Sequence, residues 1–121
     1  LEQHVSVRGI RRETGLEPAQ LAANARAGDP MAIAFWQQYG RWLGAGLASL
    51  VYVLTPEAIA IGGGISASAD LFFPTVEAEL EKRVLPTSRL GLKLLVAQLG
   101  NQAGIVGAAK LAWDAIAPGA V

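Results

Sequence analysis

The longest helical pattern in the sequence begins at Asp29 and Pro30, an N-cap residue followed by a proline suited to the first helical position. Apolar residues then recur at steps of three and four, which predicts one long helix that ends at the Thr55-Pro56 break. The predicted apolar stripe of this helix consists of Ile33, Trp36, Leu43, Leu47, Leu50 and Leu54.

Small residues form a second pattern on the same helix, where Gly40, Gly44 and Ala48 stand four apart. A glycine inside a helix costs about 1 kcal/mol relative to alanine, so some compensation is expected. The row therefore predicts that another helix packs closely against it.

Two shorter helices are predicted ahead of the long one. The first covers residues 5–13, with Ser6 available as a cap and Gly15 closing it. The second begins at Pro18 and stops at Gly28.

Two apolar runs, residues 58–61 and 94–97, are too short for helices and suit strands covered on both faces. Each run leads into glycines, the second at residues 100–104, and a helical pattern then follows. The first of these later helices contains Pro74, which is expected to kink or split it, and the second covers residues 103–117. Two strand, glycine and helix units predict an α/β fold whose sheet is incomplete in this chain.

Three consecutive glycines, Gly62, Gly63 and Gly64, end the first predicted strand. Residues without Cβ let main-chain N–H groups approach a phosphate, a ribose or a base edge, and a helix start just beyond adds about half a positive charge. The string is neither a G-x-G-x-x-G fingerprint nor a phosphate loop ending in Lys-Ser/Thr, which excludes the Rossmann and Walker interpretations. A plain tight turn is the alternative.

Composition narrows the class of protein. The 121 residues fit one domain, and 52% hydrophobic against 17% charged residues predicts apolar surface that meets a partner or another part of the same protein. Ten basic and ten acidic side chains balance, so no nucleic-acid partner is expected. The absence of cysteine favours a reducing cytoplasm. No membrane association is expected, because the most apolar stretch, residues 42–54, is shorter than the roughly 20 residues that span a bilayer.

Several segments together resemble one family. The string LTPEAIAIGGGIS at residues 54–66 and GNQAGIVGAA at residues 100–109 closely resemble the C-terminal lobe of ROK sugar kinases, in the actin-like, sugar-kinase and Hsp70 ATPase superfamily with a ribonuclease H-like fold. The turn at residues 27–32 is similar too, and residues 1–6 resemble the string that follows the family's Cys-x-Cys-Gly-x-x-Gly-Cys zinc motif. The resemblance covers essentially the whole chain.

This resemblance implies that residues 1–121 are the C-terminal lobe of a longer bacterial, glucokinase-like kinase. Such an enzyme uses ATP with magnesium to phosphorylate a hexose, with glucose the leading candidate, and it commonly forms a homodimer. The alternatives are a sugar-responsive repressor of the same family, which an upstream helix-turn-helix would reveal, and a degenerate domain kept only for dimerisation or binding.

Individual site residues follow from the same resemblance. Gly62, Gly63 and Gly64 match the adenosine motif, which cradles the nucleoside and the proximal phosphate. Glu2 matches the carboxylate that accepts hydrogen bonds from sugar hydroxyls. His4 does not align with the family's histidine ligand, so no metal ligand is expected in the chain.

Gly104, Gly107 and Ala108 match the family's second connecting helix, near the hinge between the lobes, with packing alone as the alternative role. The family's phosphate motif, catalytic Asp and zinc cysteines have no counterpart in this sequence. The resemblance therefore implies that the catalytic residue and the ligands of a structural zinc lie outside the chain, and that the chain alone is inactive.

Overall fold

A computed structural model describes residues 2–97 and 103–116, and the side chains of residues 4–97 and 108–116. Helices fill the first half, and two strands separated by helices follow, which confirms the predicted α/β order. The elements are α1 Glu2–Val5, α2 Val7–Thr14, α3 Pro18–Arg26, α4 Pro30–Leu54, β1 Ala58–Ile61, a 3-10 helix Gly64–Ser68, α5 Ala69–Arg83, α6 Pro86–Arg89, β2 Lys93–Val96 and α7 Ala103–Ile116.

The helix starts are set by the capping residues that the sequence predicts. The Ser6 hydroxyl accepts a hydrogen bond from the Gly9 N–H at 3.0 Å, and α2 ends at Gly15, which has φ 70°. The Asp29 carboxylate accepts from the Met31 N–H at 3.0 Å and starts α4. The short helix α1, which immediately precedes α2, was not predicted as a separate element.

The predicted close packing against the small-residue row is confirmed, and α5 is the helix that packs there. A Cβ atom added at Gly40 would lie 2.7 Å from the Thr75 Cβ and 2.8 Å from the Phe72 carbonyl oxygen. A Cβ added at Gly44 would lie 2.6 Å from the Glu79 Cβ. All three distances are shorter than the contacts that real Cβ atoms make, so only glycine permits this approach of the two helices.

The apolar stripe predicted for α4 is partly wrong. Trp36, Leu43 and Leu47 are buried, whereas the remaining three members of the stripe are exposed. Because α5 packs along the small-residue row, the buried face of α4 is turned toward that row. The residues buried on α4 are Ala32, Trp36, Tyr39, Gly40, Leu43, Gly44, Leu47, Ala48 and Val51.

The two strands pair in parallel and in register, with Ala58 opposite Lys93. Ile59 and Ile61 are half-buried and pack against the helical core, whereas Ala58 and Ala60 are exposed. The prediction that these strands are covered on both faces is therefore wrong for the described residues. The helical core covers one face of the pair, and no element in the described ranges buries the other.

Helix α7, like the sheet, carries exposed apolar side chains. Trp113 is 58% exposed on this helix, and Leu111 and Ile116 are more exposed still.

Helix α5 runs through Pro74 as one helix, so the expected split does not occur. In the described part of the chain, no helix combines the length and the apolar character needed to cross a membrane.

Candidate nucleotide site

The glycine turn, defined as residues 62–64, lies at the edge of the sheet where both strands end. Parallel pairing places the carboxyl ends of β1 and β2 side by side. The Ala97 N–H donates to the Ile61 carbonyl at 2.9 Å and extends the ladder to the first glycine. Residues 98–102 lie outside the described residues; they include Asn101, whose side chain could cap the helix predicted to follow. This edge is where ligands bind in open α/β sheets.

The backbone of the glycine turn is uncovered. Gly63 has φ 84° and ψ −177°, a conformation that is essentially restricted to glycine. A Cβ added at Gly64 would meet no atom within 4 Å, and one at Gly62 would lie 3.4 Å from the Ala97 Cβ. All three glycines are exposed, so the main chain of the turn can contact a ligand directly.

A serine closes the turn on its inner side. The Ser66 hydroxyl donates to the Gly63 carbonyl at 2.6 Å, and the Ser66 N–H donates to the same oxygen at 3.1 Å. These bonds tighten the segment into the 3-10 helix, because a serine side chain competes for nearby backbone groups. The α-helix begins only at Ala69, so its positive end lies further along the chain from the glycines than the sequence predicts.

An arginine from α3 fixes the segment that follows the glycines. Arg26 donates through Nη2 to the Asp70 carboxylate at 2.7 Å and to the Ala67 carbonyl at 3.0 Å. Its Nε donates to the second Asp70 oxygen at 3.4 Å. Hydrogen bonding to Arg26 holds the pKa of the Asp70 carboxyl below its ordinary value. The sequence analysis did not predict these contacts of Arg26. Arg26 and Asp70 are 44 positions apart, so no local pattern marks the pair.

The proposed sugar carboxylate lies on a different element. The structure describes the backbone of Glu2 in α1, and its side chain lies outside the described part. The His4 ring stacks on Trp42 with ring centroids 4.4 Å apart, and its Nδ1 lies 3.3 Å from a Glu13 carboxylate oxygen. Among the described residues, no group of three or more acidic or histidine side chains is gathered for a metal ion.

The residues predicted to lie at a hinge are all on α7. Gly104 and Gly107 are in its first half, and Ala108 is exposed. The structure therefore places these residues on the helix that follows β2, while their role at a hinge stays a prediction.

Two cavities of the described region lie away from the glycine turn. One of about 180 Å³ is lined by Ile59, Glu81 and Arg89 between α5 and the sheet. The other, of about 830 Å³, is lined by Glu57 and Lys93 at the amino-terminal edge of the strands. The glycine turn lines neither of these two cavities.

The chain matches a known family over nearly its whole length. The model of the ROK family matches residues 1–115. Glucokinase of Streptomyces coelicolor is 37% identical over 101 residues, covering 83% of this chain and 32% of that enzyme. The DNA-binding transcriptional repressor Mlc of Escherichia coli is 31% identical over 101 residues, covering 84% of this chain and 25% of the repressor.

A solved structure extends the likeness to three dimensions. The ROK family glucokinase of Streptomyces griseus, crystallised with glucose and AMPPNP, superposes with a TM-score of 0.78 at 30% identity. The match covers 91% of this chain and 43% of that one. This likeness confirms the predicted fold class, the helix-rich actin-like ATPase fold with an incomplete sheet. The chain spans about a third of the length of the glucokinase from Streptomyces coelicolor.

Proposed function

The chain belongs to the ROK family, and from that premise we propose that it is the C-terminal, nucleotide-binding half of an ATP-dependent hexose kinase of the glucokinase type. In this proposal residues 1–121 form one lobe of a longer enzyme, called the complete enzyme below. The S. coelicolor and S. griseus relatives support this choice, and the latter was crystallised with glucose and the ATP analogue AMPPNP.

The observation that carries the proposal is the open glycine turn at the carboxyl edge of the strands. Its backbone is exposed and free of side chains, and Gly63 holds a conformation that other residues adopt only under strain. Such a turn suits the adenosine end of ATP, because main-chain donors can contact the nucleoside and the proximal phosphate without a lysine. We assign Gly62, Gly63 and Gly64 to this role.

The remaining roles divide between this chain and the rest of the complete enzyme. ATP, bound with magnesium, supplies the phosphoryl group that a sugar hydroxyl receives. Glu2 orients the hexose by accepting hydrogen bonds from its hydroxyls, and Gly104, Gly107 and Ala108 lie near the hinge about which the lobes close. The base that receives the hydroxyl proton belongs to the other part of the complete enzyme, and so do the ligands of a structural zinc. The complete enzyme acts in the cytoplasm as a homodimer.

Gly63→Val in the complete enzyme tests the nucleotide assignment. Valine at a positive φ distorts the turn by about 1–3 kcal/mol, so the ATP KM is expected to rise about tenfold or more while the sugar KM stays nearly unchanged. Gly91→Val is the matched control, because Gly91 also has a positive φ, 76°, and open space around it, but precedes β2 at the opposite edge of the sheet. It should lower stability without changing the ATP KM. Unchanged ATP kinetics in Gly63→Val would remove the assignment.

A sugar-responsive repressor is the second candidate, since the Mlc relative covers a similar share of this chain. The kinase proposal requires a catalytic Asp ahead of these residues in the complete protein, whereas a repressor requires a helix-turn-helix. Isothermal titration of the complete protein with ATP and with glucose separates the two: a kinase binds both ligands. Glucose binding without ATP binding would favour the repressor.

A further inference from the structure

A tyrosine of α4 forms a hydrogen bond to the backbone of the short helix α1. The Tyr39 hydroxyl donates to the Val5 carbonyl oxygen at 2.9 Å, across 34 positions of sequence. Tyr39 is only 4% exposed, and its burial raises the pKa of the phenol to about 12. The phenol therefore keeps its proton, and its role as hydrogen-bond donor, at any pH near neutrality.

A second contact lies one helical turn further along α4. Trp42 stacks on the His4 ring, with a centroid distance of 4.4 Å and an interplanar angle of 29°. The other side of the imidazole reaches α2, where its Nδ1 lies 3.3 Å from Glu13. Because residues three apart share one face of a helix, Tyr39 and Trp42 contact consecutive residues of α1 from the same side of α4.

Helix α1 depends on such contacts for its position. It has four residues, Glu2–Val5, and an isolated helix of this length is not stable in water. The hydrogen bond holds the backbone at Val5, the ring contact holds the His4 side chain, and the Glu2 backbone lies less than one turn before them. Tyr39 and Trp42 thus hold the last two residues of α1, near the described backbone of Glu2.

We propose that Tyr39 and Trp42 are positioning residues for sugar binding, which clamp α1 onto α4 so that Glu2 meets the hexose hydroxyls in the required orientation. The inference rests on the proposed function, because it takes the sugar role of Glu2 as given. It adds that the sugar end of the site is built on α4, whereas the nucleotide end is built on the sheet edge.

Tyr39→Phe in the complete enzyme tests this inference, because it removes one hydroxyl and keeps the buried ring. Loss of the hydrogen bond is expected to raise the sugar KM about two- to tenfold, with kcat and the ATP KM nearly unchanged. Tyr52→Phe is the matched control. The Tyr52 hydroxyl also serves backbone groups, accepting from the Leu85 N–H at 3.0 Å and donating to the Arg83 carbonyl at 3.1 Å, at the other end of α4. Its loss should change neither KM.

Glu2→Gln and the double variant Tyr39→Phe with Glu2→Gln complete the experiment. If Tyr39 acts through Glu2, its substitution adds almost nothing to the sugar KM once Glu2 is neutralised. A full additional effect in that background, or an equal rise of the ATP KM, would show a general structural role and overturn the inference. A raised sugar KM in Glu2→Gln with none in Tyr39→Phe would overturn it while the proposed function stands. An unchanged sugar KM in Glu2→Gln would remove the sugar role of Glu2 and, with it, this inference, while the nucleotide assignment of the glycine turn is tested separately by Gly63→Val.

Discussion

The two sides of this chain bury their apolar residues to very different extents. On the helical side, formed by α2 to α5, Trp36 is fully buried and stacks on Phe72 with ring centroids 5.9 Å apart. On the sheet side, formed by β1, β2 and α7, Trp113 is 58% exposed, and Leu95 and Val96 of β2 are nearly half exposed. Similar residue types thus form a closed core on the helical side, whereas the sheet side is open, with no buried residue among those described.

This difference follows from how each side meets its packing partners. The helices of the helical side cover one another within the chain, as α5 covers α4 although a strand and a 3-10 helix separate them in sequence. A two-stranded parallel sheet has two edges and two faces, and the described elements cover one face only. The surplus of apolar surface that the composition predicts is therefore divided: part of it lies on the sheet side, and part lies on α4, where Met31 and Val53 are exposed.

The first and largest test of this comparison replaces one tryptophan on each side. Trp36→Ala leaves a large cavity among aromatic rings and is expected to lower the free energy of unfolding by about 3–5 kcal/mol. Trp113→Ala removes a mostly exposed ring from the same 121-residue chain, so the loss should stay within about 0.5 kcal/mol. Urea unfolding followed by circular dichroism measures both. Equal losses would contradict the division into a closed and an open side.

Acrylamide quenching of variants that keep one tryptophan each sharpens the same comparison, because the chain has three tryptophans and only such variants report on the accessibility of one. In this chain Trp113 should be quenched strongly and Trp36 weakly. If the chain is one lobe of the complete enzyme, we expect lower accessibility of Trp113 there, since further parts of the protein are then present beside α7.

The second test concerns the close approach of α4 and α5 on the helical side. Gly40→Ala gains about 1 kcal/mol of helix propensity but places a Cβ 2.8 Å from the Phe72 carbonyl oxygen, which no side-chain rotation can relieve. Since overpacking costs about 1–3 kcal/mol, we expect a net loss of up to about 2 kcal/mol in thermal or urea unfolding.

The control for this test is Gly64→Ala on the sheet side, where a Cβ meets no atom within 4 Å and φ is not in the left-handed region. Stability should change by no more than about 0.5 kcal/mol there. A gain in stability from Gly40→Ala would show that the helices can separate at little cost, and would remove close packing as the reason for glycine at this position.

The local features of this fold could be predicted from the sequence. The capping residues Ser6 and Asp29 act within a few positions of the chain, and the two strands are short apolar runs. Such local patterns can be recognised in a single sequence. The small-residue row at Gly40 and Gly44 also predicted a close helix contact, because only such a contact compensates for glycine inside a helix.

The features that depend on partners distant in sequence could not be predicted in this way. The buried face of α4 was misplaced because α5 selects it, and Ile33 is exposed as a result. The hydrogen bond from Tyr39 to Val5 joins residues 34 positions apart and leaves no local pattern. The strands were expected to be covered on both faces because their residues are mostly apolar. Such a run indicates that a strand is buried, but it does not show whether elements of the same chain bury it.

The third and smallest test concerns the ion pair between Arg26 and Asp70, which joins the helical side to the segment after the glycine turn. Its hydrogen bonds lower the pKa of Asp70, so the folded protein holds this carboxylate in its charged form more strongly than the unfolded chain does. The stabilisation is therefore complete above about pH 4, the ordinary range of an Asp carboxyl, and is lost as the pH falls through the lower folded value.

Both side chains of this pair are about half exposed, so solvent screens their attraction and the effect of Asp70→Asn on stability at pH 7 should be the smallest of the three. Asp114→Asn is the matched control, since Asp114 pairs with Lys110 at 2.6 Å within α7 and joins no second element. We expect only Asp70→Asn to flatten the fall in stability below pH 4 and to increase hydrogen exchange at the start of α5. Asp114→Asn leaves Arg26 and its contacts in place. An equal increase in exchange at α5 from this control would therefore mean that the ion pair between Arg26 and Asp70 does not fix the start of α5.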